Sequence, residues 1–394
     1  MNREPILFYD SDWNGHHLEF LLHLIDFLER TLDESINHQV FFLLNSELKP
    51  YFEKPTKHCQ IFYLSAIELS NSKSTFHPLL RGVKEWNVVE AFMKEHEIKQ
   101  VFLMYIDLYL LKIGLMKSQN IRIKGIQFLP YFRMPKQTFR QRLRRQWHAA
   151  KMKWAVRNKY LETVFILNDN YSVAELNKLK WHQGIFKYLP DPINELQGEK
   201  DDFVLPTLSK DSFKLLVLGH ISPRKNLANI IEALNLIDFD IKQKLELLIV
   251  GEVDGGYKIS FNDLIRSFLQ RNPDFLITKI ERFVSINEMN TVIEQSDCLL
   301  IPYTNSYKSS GIIGLAAKHE KLLIGPNTGI MNDLINDYSL GITVNPYDVE
   351  SIKQAILEIR KFEITNAKFN EYIEERTPVE FAKIINNCFL IREL

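Results

Sequence analysis

The 394-residue sequence is poor in cysteine: Cys59, Cys298 and Cys388 are odd in number and far apart. No disulfide framework and no zinc site of paired Cys spacing can be built from them, so a reducing cytoplasm suits the chain best. Long apolar runs are missing as well. The first, Pro5 to Tyr9, is far shorter than a signal-peptide core, and no stretch approaches the roughly 18 to 20 apolar residues of a membrane span. A cytoplasmic location is expected, and any membrane is met from the side. Excess charge is absent too, since 49 Lys+Arg stand against 49 Asp+Glu. That excludes a uniformly basic nucleic-acid binder and an acidic disordered chain. With 15 Gly and 15 Pro the chain is neither collagen-like nor of low complexity. No G-x-G-x-x-G follows a strand-like run, which argues against a nicotinamide dehydrogenase.

What is present is an alternation of short apolar runs and helix-period segments. Ile6–Tyr9, Val40–Leu44, Gln60–Leu64, Gln100–Met104, Lys124–Leu129 and Thr163–Leu167 read as buried strands. Leu18, Leu21, Leu22, Ile25 and Leu28 share one face of a helix. The grammar restarts at Phe213–Gly219 and Leu245–Gly251, and continues through Phe275–Ile280, Cys298–Pro302, Leu322–Gly325 and Gly341–Val344. Strands spaced by helices predict parallel sheets covered on both faces. Between the halves, Pro190 and Pro192 forbid a continuous helix, and the polar stretch 197–210 follows. The fold class expected is α/β, with two doubly wound Rossmann-like domains facing across a cleft. Residues 1–190 form the first, residues 191–375 the second, and residues 376–394 a final helix. Such sheets bind ligands at the carboxyl ends of their strands.

The sharpest local feature is Gly219-His220-Ile221-Ser222-Pro223-Arg224-Lys225-Asn226, between a strand and a helix. A helix N-terminus beside two adjacent cations suits a diphosphate; a solvated turn with ordinary charges is the bland alternative. Downstream, in order, come Leu247–Glu252, Arg282-Phe283-Val284-Ser285, Ser296–Pro302, Lys321–Gly329 and Leu340–Pro346. This series resembles the group 1 family of nucleotide-sugar glycosyltransferases, which have the GT-B fold. The resemblance covers about residues 213–360. It implies that Lys225 contacts donor phosphate, with Arg224 standing in for the family arginine where this chain has His220. It implies further that Gly219, Glu252, Phe283 and Val284 line the nucleotide site, and that the last helix crosses back to the first domain. A retaining, metal-independent hexosyl transfer with no cofactor beyond the nucleotide-sugar donor is also implied.

One departure is plain. Where the family has a glutamate, seven residues, and a second glutamate, this chain has Tyr307 and Leu315, or Lys308 and Ala316. Ser309, Ser310 and Gly311, at the start of a predicted helix, can still cradle a phosphate through N–H and hydroxyl groups, unless they merely cap it. Ribose and sugar recognition must then be built from other residues. In the first half, Asp10–His17 matches the position of the family's glycine-rich loop with the single glycine Gly15. His16 or His17 could accept a proton or meet phosphate, or simply cap the helix. His16 joins Lys225 and Arg224 as the catalytic candidates. Asp10-Ser11-Asp12 spells a metal-binding pattern of another fold, but its place at the end of the first strand argues against that use.

Charge is far from even along the chain. Residues 133–160 hold 10 Lys+Arg and no Asp or Glu, so the remainder carries a net of minus 10. Within them Phe139, Leu143, Trp147, Ala150 and Trp154 recur every three or four residues. A helix with an apolar stripe and basic flanks suits an anionic membrane surface, through Arg133–Tyr160; the competing reading packs the stripe on the first domain. No recognition module accompanies these charges, so nucleic acid is not an expected partner. The function expected is transfer of a sugar from a nucleotide-diphosphate donor to a saccharide or lipid-linked saccharide acceptor in glycan or polysaccharide synthesis. A non-catalytic nucleotide-sugar-binding protein of the same fold, or an epimerase acting on the nucleotide sugar, are the alternatives.

Overall fold

A computed structural model describes residues 4–13, 16–32, 39–65, 68–69, 78–116, 120–179, 184–193, 211–364 and 367–389. The chain forms two compact units, residues 1–192 with 377–394, and residues 193–376. The expected boundaries fell at 190/191 and 375/376.

The first unit is built on seven parallel strands in the order β3-β2-β1-β4-β5-β6-β7. Their ranges are β1 Ile6–Asp10, β2 Val40–Leu44, β3 Cys59–Tyr63, β4 Gln100–Leu103, β5 Arg122–Gln127, β6 Leu161–Leu167 and β7 Phe186–Leu189. β2 is apolar throughout, β1 is apolar up to its final residue Asp10, and both are buried at every position, as strands covered on both faces must be. One face packs around Trp86, Val101 and Val164, the other around Phe8, Phe20 and Phe42. The chain's last helix, Pro378–Asn387, completes that second face. Phe381 is fully buried and meets Phe20 at 4.7 Å between ring centroids. Thr377 caps this helix by accepting from Glu380 N at 3.2 Å, and Pro378 occupies its first turn, where no N–H is needed.

The second unit holds six parallel strands in the order β10-β9-β8-β11-β12-β13. They are β8 Phe213–Leu218, β9 Leu245–Val250, β10 Leu276–Ile280, β11 Cys298–Leu300, β12 Leu322–Pro326 and β13 Gly341–Val344. Its core lies wholly within residues 193–376. In both sheets the order reverses beside the first strand of the unit, between β1 and β4 and between β8 and β11. These are the switch points at which open parallel sheets bind ligands. Among the described residues no helix is long and apolar enough to cross a membrane.

Helix Phe139–Ala155 does not bury the stripe that its sequence advertises. Thr138 and Gln141 form a capping box at its start. Lys151, Met152 and Ala155 face inward instead. Phe139 is 74% exposed, and Leu143, Trp147 and Trp154 are exposed beside it. Gly114 explains the tight seat of the far end: a Cβ there would stand 2.7 Å from Trp154 Cβ, so the helix Leu110–Leu115 approaches with no room to spare. The expectation that the stripe packs on the domain is thus not met.

Candidate functional site

At the switch point of the second sheet, two loops are zipped together. Ile221 N donates to Glu252 O at 2.8 Å and Asp254 N to Ile221 O at 2.9 Å. Gly219 and Gly251 both have left-handed φ, +88° and +137°, and a Cβ on Gly251 would stand 2.3 Å from Gly219 O. Only glycine permits this approach of the two backbones. Glu252 and His220 are exposed at the rim, His220 lying 3.6 Å from Asp254.

Beneath Gly219 lies Lys225, only 2% exposed. Its Nζ donates to Leu218 O and, at 2.7 Å, to Tyr303 Oη, and stands 3.4 Å from where a Gly219 Cβ would be. Among the described residues no carboxylate pairs with it, and burial, helped by Arg224, drops the ammonium to about 7. The Tyr303 hydroxyl is pushed up to about 12 by burial. Arg224 is exposed, with its guanidinium 4.5 Å from the Tyr303 ring centroid. Asn226, left-handed at φ 62°, ties the turn down by donating to Pro302 O and Pro346 O at 3.1 and 2.6 Å.

Ser310 is the N-cap residue of helix Gly311–Lys318, but its hydroxyl caps no helix N–H. The side-chain cap of the packed-helix alternative is thus absent, although Gly314 packs closely on Ile193 and Ile313 N donates to Ser310 O at 3.0 Å. Ile312 brings this terminus to the Gly219 loop, 3.7 Å from the place of its missing Cβ. Leu315 and Ala316, where the family would have its second glutamate, lie in the core. Phe283 is 75% exposed and free to stack on a flat base, whereas Val284 points into the core and offers only its backbone. Arg282 fixes that segment on Glu288.

The first sheet's switch point carries a different chemistry. Asp10, buried at the end of β1, holds His17 Nδ1 through Oδ2 at 2.7 Å and accepts from Asp12 N through Oδ1 at 3.1 Å. His17 stacks on Phe128 and meets Tyr105 edge-on. Burial pulls its pKa down but Asp10 more than offsets this, so the net movement is up. Ser11 donates to Glu85 at 2.8 Å, and Arg81 bridges Glu85 and Asp12 at 2.6 and 2.8 Å. His16 is half-exposed on the same turn, 3.9 Å from Glu19. Glu19, with Asp191, raises it to about 9, which favours its cationic form. Gly15 lies outside the described residues, as does the polar stretch 197–210. Arg81 and Glu85 escape sequence reasoning because they reach Ser11 and Asp12 from about 70 positions away, and no local pattern marks them.

A two-domain chain with these switch points has close structural counterparts. Sucrose-phosphate synthase from Thermosynechococcus elongatus matches with a TM-score of 0.66 and 14% identity, over 98% of this chain and 98% of that one. HepE of Anabaena, solved with UDP, gives 0.62 and 15% over 98% and 99%. WaaG, a glycosyltransferase involved in lipopolysaccharide biosynthesis, gives 0.63 and 14% over 98% and 99%. The fold is therefore that of the GT-B glycosyltransferases. Residues 199–376, nearly the whole second unit, match the family model of the glycosyl transferases group 1. No curated protein matches the sequence significantly.

Proposed function

We propose that the protein transfers a sugar from a nucleotide-diphosphate donor held by the second unit to a saccharide or lipid-linked saccharide acceptor held by the first. The observation that carries this reading is the cluster of Gly219, Arg224, Lys225 and the uncapped start of helix Gly311–Lys318 at one switch point. Charge developing on the leaving diphosphate would meet two cations and unpaired N–H groups, which supports a metal-independent step. Retention follows from the group 1 resemblance. HepE has also been solved with UDP and glucose, so UDP-hexoses are the first donors to try. Transfer and donor hydrolysis should be measured together, with the product anomer read by NMR. Tight nucleotide binding without turnover on any acceptor would sink the enzyme reading.

The exposed stripe of helix Phe139–Ala155 supports a peripheral seat on an anionic membrane. Its flanking Arg140, Arg142, Arg144 and Lys153 are exposed with it. Each basic residue near such a surface contributes about 1 kcal/mol, and Trp147 and Trp154 suit the interface. The full chain should float with vesicles rich in phosphatidylserine at low salt and not with phosphatidylcholine. Replacing Phe139, Leu143 and Trp147 by Ser should abolish flotation without lowering Tm, because these side chains leave no core cavity. Absence of flotation at low salt would remove the membrane from this reading.

A further inference from the structure

Helix Phe139–Ala155 also carries Arg144, His148 and Lys151, spaced by four and three residues and so neighbours on one face. They differ from the surface cations around them. Lys151 is only 8% exposed, yet it makes no hydrogen bond or ion pair with any described residue. Asp107 is the acidic group that acts on it, but that buried carboxylate is engaged by Phe128 N at 2.8 Å and Gln127 Nε2 at 3.3 Å. His148 Nδ1 is enclosed and unpartnered among the described residues. Arg144 has no ion pair there either. His148 Nδ1 is thus a buried polar atom without a partner beside a largely buried lysine, and the arrangement is incomplete as it stands.

The three groups also repel one another. Burial, with Lys151 and Arg144, holds His148 down at about 4, and burial with Arg144 holds Lys151 down as well. An arriving anion would reverse both effects and supply the missing partners. The location fits a substrate. Tyr105, which follows β4, lies in the fields of Asp107, Asp12, Arg81 and Arg144 and meets His17 at 6.2 Å between ring centroids. Arg144 thus acts on Tyr105, which follows β4 at the carboxyl end of the first sheet.

We propose that Arg144, His148 and Lys151 form a subsite for a phosphate or diphosphate ester on the acceptor. Two fixed cations and an imidazole that gains a proton on binding match a dianion, whereas a carboxylate would need a single Arg fork. The word acceptor rests on the glycosyltransferase reading; the anion site does not. A lipid-linked diphosphate and a soluble sugar phosphate present the same chemistry to these residues.

Titration calorimetry of the full chain with inorganic pyrophosphate tests this. Two sites are expected. Lys225→Met should remove one, while Arg144→Gln and Lys151→Met should each weaken the other at least tenfold and leave the first intact. Arg144 is exposed, so Arg144→Gln keeps the test valid even where Lys151→Met perturbs the fold. Pyrophosphate binding unchanged in both Arg144→Gln and Lys151→Met overturns the proposal. Displacement of pyrophosphate from this site by glucose 1-phosphate assigns it to a soluble acceptor, and displacement solely by vesicles containing phosphatidic acid assigns it to a lipid-linked one. Displacement by neither also overturns it. A second pyrophosphate site in a protein that transfers no sugar would leave the subsite standing and remove the enzyme reading.

Discussion

Lys225 is the residue whose environment makes the strongest demand. Its ammonium is lowered to about 7 by burial, against about 10.4 for an unfolded lysine. A diphosphate prefers the charged form, so donor binding above pH 7 must take up a proton. Donor Kd should accordingly rise by up to tenfold per pH unit above about 7, and Lys225→Met should bind more weakly with a flat pH profile. The stability effect has the same origin. Between about 7 and 10 the unfolded chain binds more protons than the folded one, so wild-type stability should gain on Lys225→Met as pH rises through that window. Denaturant titrations of both proteins at pH 6.5 and 9 check the sign. His17 offers a second test at this scale. Its Nδ1 is fixed by Asp10, leaving Nε2 for a substrate hydroxyl, and losing one such charge-assisted bond costs about 1.5–3 kcal/mol. His17→Phe should lower kcat/KM about ten- to a hundredfold without changing donor Kd.

Among the elements, most strands were legible because buried parallel strands are nearly continuous apolar runs: Val40–Leu44 is nothing else, and Leu245–Val250 breaks the run only at Glu246. β7 was not. Phe186–Leu189 has four residues with Lys187 exposed, and the prolines just beyond it mark a junction more loudly than the strand marks itself. Helix Phe139–Ala155 shows the limit of periodicity in another way. Its stripe predicted an apolar face correctly, but spacing carries no information on what covers that face, and the residues that bury are Lys151, Met152 and Ala155. The donor cluster was legible as a cation pair after a glycine. The burial of Lys225 under Gly219 was not, because Tyr303, its partner, comes 78 residues later. The final helix was read correctly from Thr377-Pro378, and its packing gives a prediction. Phe381 is completely enclosed among Phe20 and the second face of the first sheet, so Phe381→Ala should cost about 3–5 kcal/mol. Thr377→Ala, which removes only the cap, should cost about 1 kcal/mol. Urea unfolding monitored at the first unit distinguishes the two.

For the whole molecule, the cores set the terms. Two hydrophobic clusters lie wholly within the unit of residues 1–192 and 377–394, and the third lies wholly within residues 193–376. The chain passes between the units at 192/193 and 376/377, and Ile193 N donates to Arg376 O at 2.9 Å, so the two passages are tied side by side. Separate cores allow separate unfolding, and two-state behaviour is not expected of such a chain. Calorimetry should resolve two transitions. On the proposed function a nucleoside diphosphate would bind the unit that holds Lys225, and at 100 times its Kd it would stabilise that unit by about 2.7 kcal/mol. It should therefore raise the transition of residues 193–376 and leave the other in place. Phe381→Ala should do the reverse, lowering the first unit's transition although the substitution lies at the opposite end of the sequence from β1. Pyrophosphate would raise both transitions in the wild type, since each unit holds an anion site, but only the second unit's in Arg144→Gln. A single transition that shifts as a whole with nucleotide would mean that the units unfold together, and the assignment of each ligand to its own core would fail.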